Sequence, residues 1–128
     1  MRVFKFGGAS VKSASAVKNV AKVLSSHGDG PLVVVVSAMG KITNKLEELV
    51  DAYYYERDTK KIICEEIKRF HQEIIADLQI DEYDYYEVEN LLIELECIIE
   101  KKRDTASPYD MEYDRIVPFG ELISTKII

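Results

Sequence analysis

The apolar positions of this chain keep three different rhythms. Val3, Phe4 and Phe6 form a short run around Lys5, and Leu32-Val33-Val34-Val35-Val36 form a second run with no alternation. Both predict β-strands, and the second, β-branched throughout, predicts a strand buried on both faces. Between them Val17, Val20, Ala21 and Leu24 recur at helical spacing, and Gly28 follows where a left-handed residue ends a helix. Strand, helix, strand in this order predicts a βαβ unit with a right-handed crossover and a parallel pair.

A helical rhythm takes over afterwards. Thr43 or Asn44 is placed to cap a helix whose apolar face is Leu46, Leu49, Val50 and Tyr53. From Asp58 to Lys102 two long amphipathic segments follow, one carrying Ile63, Ile67, Phe70, Ile74 and Leu78, the other Val88, Leu91, Leu92, Leu95, Ile98 and Ile99. Asp84 and Glu87 have the spacing of a capping box for the second. The link between them is short, which predicts an antiparallel helical hairpin. A polar loop with Pro108, Tyr109 and Tyr113 leads to Pro118, which suits the first turn of a last helix running through Ile127 and Ile128. Two parallel strands do not by themselves make a stable α/β sheet. The expectation is therefore one unit over residues 1–128 without an internal boundary, forming the leading part of a larger α/β domain.

Composition narrows the function classes. In 128 residues, 17 Lys and Arg stand against 23 Asp and Glu, a formal charge of −6. That balance, with no basic stripe, argues against a nucleic-acid partner. No apolar run approaches membrane-spanning length and no secretory signal opens the chain, so the expected setting is cytoplasmic with no membrane partner. Cys64 and Cys97 lack metal-ligand spacing and are expected to be reduced thiols, with no protein metal site. His27 and His71 are expected on the surface or on a helix face, and Tyr53-Tyr54-Tyr55 as packing plus an exposed edge.

The candidate chemistry lies where the strands end. A parallel pair brings Gly7-Gly8-Ala9-Ser10 beside Ser37-Ala38-Met39-Gly40, and ligands of open α/β sheets bind at such carboxyl edges. Free backbone N–H groups, a glycine pair that admits a close ligand, and the Lys5 ammonium together suit a phosphate group.

The stretch Lys5-Phe6-Gly7-Gly8-Ala9-Ser10-Val11 resembles the N-terminal signature of the aspartate kinases within the amino-acid kinase family. Val35-Val36-Ser37-Ala38-Met39-Gly40-Lys41-Ile42-Thr43-Asn44 and Phe119-Gly120-Glu121-Leu122-Ile123-Ser124 resemble two further signatures of that branch, and the three reach from end to end. Ala9 stands where Thr or Ser is common in the family, and Leu122 where an Arg often follows the Gly-Glu pair. The resemblance implies transfer of the γ-phosphoryl group of ATP, with Mg²⁺, to the side-chain carboxylate of L-aspartate, the entry step toward lysine, threonine and methionine. It implies that Lys5 holds the transferring group as the catalytic cation, and that Lys5, Gly7, Gly8 and Ser10 contact phosphate. It also implies that Ser37, Ala38, Thr43 and Glu121 line the aspartate pocket, with Glu121 facing the substrate ammonium.

The family's later elements have no counterpart here: the substrate-clamping arginine, the glycine-rich phosphate loop, the adenine site and the regulatory ACT domains. The 128-residue chain alone is therefore expected to be inactive and to self-associate through uncovered apolar surface, and the parent enzyme to be a homo-oligomer. The alternatives are another kinase of the family, or a non-catalytic α/β module serving self-association or regulation.

Overall fold

The computed structural model describes Met1–Ile128. Strand β1 (Arg2–Phe6) leads through a short 3-10 turn (Gly8–Val11) to α1 (Ala14–Ser25) and then β2 (Leu32–Val36). Helices α2 (Ile42–Tyr54), α3 (Lys60–Leu78), α4 (Glu82–Glu100), α5 (Tyr109–Ile116) and α6 (Phe119–Ile127) complete the chain. The strands pair in parallel with Arg2 opposite Leu32 and Phe6 opposite Val36, so both carboxyl ends lie at one edge.

The predicted βαβ unit and hairpin are present, and the apolar stripes became the core. Val17 and Val20 of α1, Leu46, Leu49, Val50 and Tyr53 of α2, Ile67 and Ile74 of α3, and Val88, Leu92, Leu95 and Ile99 of α4 are buried in one cluster, joined by Ile116, Phe119 and Ile123 from the last helices. Helices α3 and α4 run antiparallel, as two cross-links fix: Lys68 to Glu96 at 3.2 Å and Gln72 to Glu89 at 2.9 Å.

Several expectations change. The second strand is not buried on both faces: Val33 and Val35 are 42 and 45% exposed, and Val34, which borders a cavity with Leu24 of α1 and Thr125 of α6, is still 37% exposed. Ser10 lies within the 3-10 turn, and Ser13 caps α1 by accepting from the Ala16 N–H at 3.2 Å. Helix α2 starts at Ile42 without any side-chain cap, which leaves Thr43 inside its first turn. Helix α4 is capped by Asp81, whose carboxylate accepts from the Asp84 N–H at 2.9 Å, three residues ahead of the anticipated box.

The stretch read as a polar loop contains α5. That helix docks on α2 through two phenols: Tyr109 donates to Asp51 at 2.6 Å and Tyr113 to Glu47 at 3.2 Å. Tyr53 is buried and Tyr55 is 59% exposed, as the packing-plus-edge reading has it. His71, expected on a surface or helix face, is completely buried on the apolar face of α3. Both cysteines are free thiols, Cys64 buried and Cys97 exposed.

Candidate functional site

The two loops at the sheet edge meet backbone to backbone. Beyond the last ladder pair, Ser37 N–H donates to the Phe6 carbonyl at 3.0 Å and Gly40 N–H to the Gly8 carbonyl at 3.2 Å. The first loop closes on itself through Ser10 N–H to Gly7 O at 3.0 Å. Gly8 is required here: a Cβ on it would lie 2.7 Å from the Gly40 carbonyl oxygen and 3.4 Å from that of Ala38. Gly40 adopts φ +54, the left-handed region that glycine enters without strain. Gly7 differs from its neighbour, because a Cβ there would meet nothing within 4 Å. One glycine thus permits the loops to touch, and the other leaves the outer side of the turn open to a ligand.

Glu121 follows a residue that packs against this edge. It stands in the first turn of α6, whose Gly120 presses on the second loop and α2: a Cβ on Gly120 would sit 2.7 Å from Ala38 Cβ, 3.0 Å from Leu46 Cδ1 and 3.6 Å from Ile42 Cγ2. The small residues Ala38 and Gly120 therefore let α6 approach the end of β2. Ala38 is buried in this contact, Ser37 and Thr43 are half-buried, and Glu121 is exposed in the first turn, where a carboxylate complements the helix dipole.

Of the residues singled out by sequence, Gly7, Gly8 and Ser10 share one loop, Ser37 and Ala38 the adjoining one, Thr43 the helix that follows, and Glu121 the helix packed on it. Lys5 occupies the penultimate position of β1, opposite Val35, and alternates with the half-buried Phe4 and Phe6 so that its side chain is exposed. It takes part in no ion pair with a carboxylate of this chain, although Lys45, Lys68 and Lys126 all do. Gly40 and Gly120, not singled out by sequence, hold the site together. Their signal was available as the glycine closing Ser-Ala-Met-Gly and the one preceding Glu121, but a glycine admitted for close approach looks in sequence like a turn residue.

The geometry can do two things chemically. The open Gly7-Gly8 turn with the exposed Lys5 suits an anion of phosphate type. Ser37 and Thr43, both half-buried, carry hydroxyls, and the exposed Glu121 carries a carboxylate, the group types that hold a small polar molecule with a positive group.

Comparison with known proteins gives the same frame. The sequence model of the amino acid kinase family matches residues 1–128. Chloroplastic aspartokinase 1 of Arabidopsis thaliana is 34% identical over 129 aligned residues, covering 98% of this chain and 22% of that protein. Chloroplastic aspartokinase 2 of the same plant is 57% identical over 44 residues, or 34% of this chain and 8% of that protein. The crystal structure of Escherichia coli aspartokinase III in complex with aspartate and ADP superposes with a TM-score of 0.81 at 28% identity, over 98% of this chain and 27% of that one. The chain thus spans about a quarter of the length of these full-length relatives. With a match over its whole length, the chain belongs to the amino acid kinase family.

Proposed function

We propose that these residues form the leading part of an aspartate kinase, which transfers the γ-phosphoryl group of ATP to the side-chain carboxylate of L-aspartate and releases ADP. The observation that carries the reading is the contact of the two glycine loops at the sheet edge, with an unpaired lysine before them and Glu121 brought in by Gly120. The similarity to aspartokinases over the whole chain and the aspartate and ADP bound in the superposed enzyme support it.

In this reading Lys5 neutralises the transferring phosphoryl group, and the backbone N–H groups of the Gly7–Ser10 turn orient the phosphates. Ser37, the Ala38 backbone and Thr43 position the substrate, and Glu121 pairs with its ammonium. A carboxylate oxygen of aspartate then forms the new P–O bond as the bond to the ADP oxygen breaks. The protein needs no covalent intermediate, only alignment and charge neutralisation. Mg²⁺ bound to the nucleotide would supply further neutralisation of the phosphate charge. The crowded Gly8–Gly40 contact with an open side at Gly7 fits a phosphate, whereas no cluster of three or more His, Cys, Asp or Glu side chains offers a metal a protein site.

The test is Lys5→Ala in the complete product of the reading frame that encodes these residues. Removing one preorganised transition-state donor costs on the order of 10² to 10³ in kcat. Aspartate-dependent ADP release should fall by that factor with the KM for aspartate changed far less. Turnover retained within threefold would remove Lys5 from the chemistry.

A further inference from the structure

The acidic row on α2 and the tyrosines of α5 form a clasp. Thr43, Glu47 and Asp51 follow one another at one-turn spacing on α2, and Tyr109 and Tyr113 are one turn apart on α5. The bonds pair Tyr109 with Asp51 and Tyr113 with Glu47, so the helices run antiparallel with their facing turns in step. Thr43 lies one turn before Glu47 on α2, and α5 ends at Ile116, three residues before α6 begins at Phe119.

The two rungs differ in what lies nearby. The Tyr113 phenol is raised above its ordinary pKa by its bond to Glu47, by burial, and by the surrounding carboxylates of Glu47, Asp114 and Glu121. Tyr109 is pushed up to about 12 by its bond to Asp51 and by burial, with Asp51, Tyr55 and Glu47 as its charged or titratable neighbours and Glu121 not among them. Along the chain Tyr113 is the rung nearer to α6 and Glu121, and Tyr109 lies one turn farther back on α5. Glu121 makes no hydrogen bond or ion pair that would fix it directly.

We propose that Tyr113, through its hydrogen bond to Glu47, is a positioning residue for the substrate site: it sets the register of α5 on α2 and so the distance of Glu121 from Thr43. The inference rests on the reading of Glu121 and Thr43 as aspartate-binding residues. It assigns Tyr109 a different role, that of docking α5 without steering the site.

Steady-state kinetics on the complete gene product provide one arm of the test. Tyr113→Phe removes one hydrogen bond and should raise the KM for aspartate about fivefold, with kcat and the KM for ATP within twofold of the original. Glu47→Ala should do the same, and the double variant should be no worse than either single one. Glu47→Gln keeps an oxygen acceptor for the phenol and should restore a near-normal KM. Tyr109→Phe should lower the melting temperature at least as much as Tyr113→Phe while leaving the KM for aspartate unchanged. A KM that tracks melting temperature through both tyrosine variants would overturn the proposal, as would a Glu47→Gln variant as impaired as Glu47→Ala.

The second arm does not depend on turnover. In ¹⁵N–¹H correlation spectra of the complete gene product, Tyr113→Phe should move the Thr43 and Glu121 amides and Tyr109→Phe should leave them in place. Unmoved Thr43 and Glu121 amides in Tyr113→Phe would overturn the clasp. Absence of aspartate-dependent turnover in the unsubstituted protein would instead overturn the aspartate reading, and the spectra would still decide on the register.

Discussion

The sheet-edge loops and the α3–α4 hairpin solve the same problem, holding two segments together, by opposite means. At the edge, backbone meets backbone: Gly40 N–H donates to the Gly8 carbonyl at 3.2 Å, and no side chain stands between them. In the hairpin, side chains interdigitate, with Cys64, Ile67, His71, Ile74 and Ile75 of α3 and Val88, Leu92, Leu95 and Ile99 of α4 buried. Backbone contact fixes positions tightly but tolerates no added atom. Side-chain packing spreads its energy over many contacts and tolerates repacking. Precision is therefore concentrated where the candidate site lies, and stability where it does not.

The largest expected break in that comparison falls inside the hairpin. The His71 Nδ1 lies 2.9 Å from the Ile67 carbonyl, which can only accept, so Nδ1 carries the proton and donates. Nε2 is then a bare acceptor, buried and without a partner. Burial, against a smaller opposing effect of the Ile67 carbonyl, lowers the His71 pKa from 6.5 to about 4. Since the unfolded chain binds the proton first on acidification, stability is full above pH 6.5, declines as the pH falls, and levels off below about 4. The whole decline amounts to about 3 kcal/mol from this one group. Urea midpoints measured between neutral and acidic pH should show it, and His71→Leu should remove that part of the slope. A His71→Leu protein as acid-sensitive as the original would mean that carboxylates alone govern the decline.

How much of this was legible in the chain follows from which signals are local. The strands, their parallel order and the apolar stripes of α1 to α4 are periodic, and periodicity survives any tertiary context. Helix starts were harder. Ser10, Ser13, Thr43, Asn44, Asp81 and Asp84 are all competent caps, and tertiary geometry chose Ser13 and Asp81 and used none at α2. Helix α5 escaped notice because it has eight residues and is held by two phenol bonds across more than fifty residues of chain, which no local pattern announces. His71, expected on the surface or on a helix face, does lie on a helix face, but on the buried one, since a lone polar residue carries no local sign of which face it shares. Of the site, the two loops were legible as motifs and their contact as a consequence of parallel pairing. Gly120 against Ala38 was not, since nothing local says that α6 comes to lie on the end of β2.

A smaller effect sharpens the other half of the comparison. Gly8→Ala places a Cβ 2.7 Å from the Gly40 carbonyl oxygen, an atom that cannot rotate away, so the loops must separate. Overpacking of this kind costs about 2 kcal/mol. Gly7→Ala, whose backbone is extended and whose Cβ would meet nothing within 4 Å, should be close to neutral for folding. Hydrogen exchange at the Gly40 amide should accelerate in Gly8→Ala and stay slow in Gly7→Ala. Equal effects of the two substitutions would show that loop contact is not what makes the first glycine pair asymmetric.

The smallest effect is expected from the ion pair that crosses the hairpin. Lys68 Nζ lies 3.2 Å from Glu96 Oε1, with the two side chains 26% and 27% exposed, and that bond raises the lysine's pKa. A partly solvated pair gains little beyond the cost of ordering two long side chains, typically under about 1 kcal/mol. Lys68→Met keeps the apolar stem that lies along the helices, so it isolates the charge. The coupling between Lys68→Met and Glu96→Gln in a double-mutant cycle should be a few tenths of a kcal/mol, on the order of 0.5, and should shrink toward zero in concentrated salt. The Gly40 amide should exchange at its original rate in both variants. A coupling energy that salt leaves intact would mean that the pair is desolvated, and that the hairpin, like the loops, depends on one exact contact.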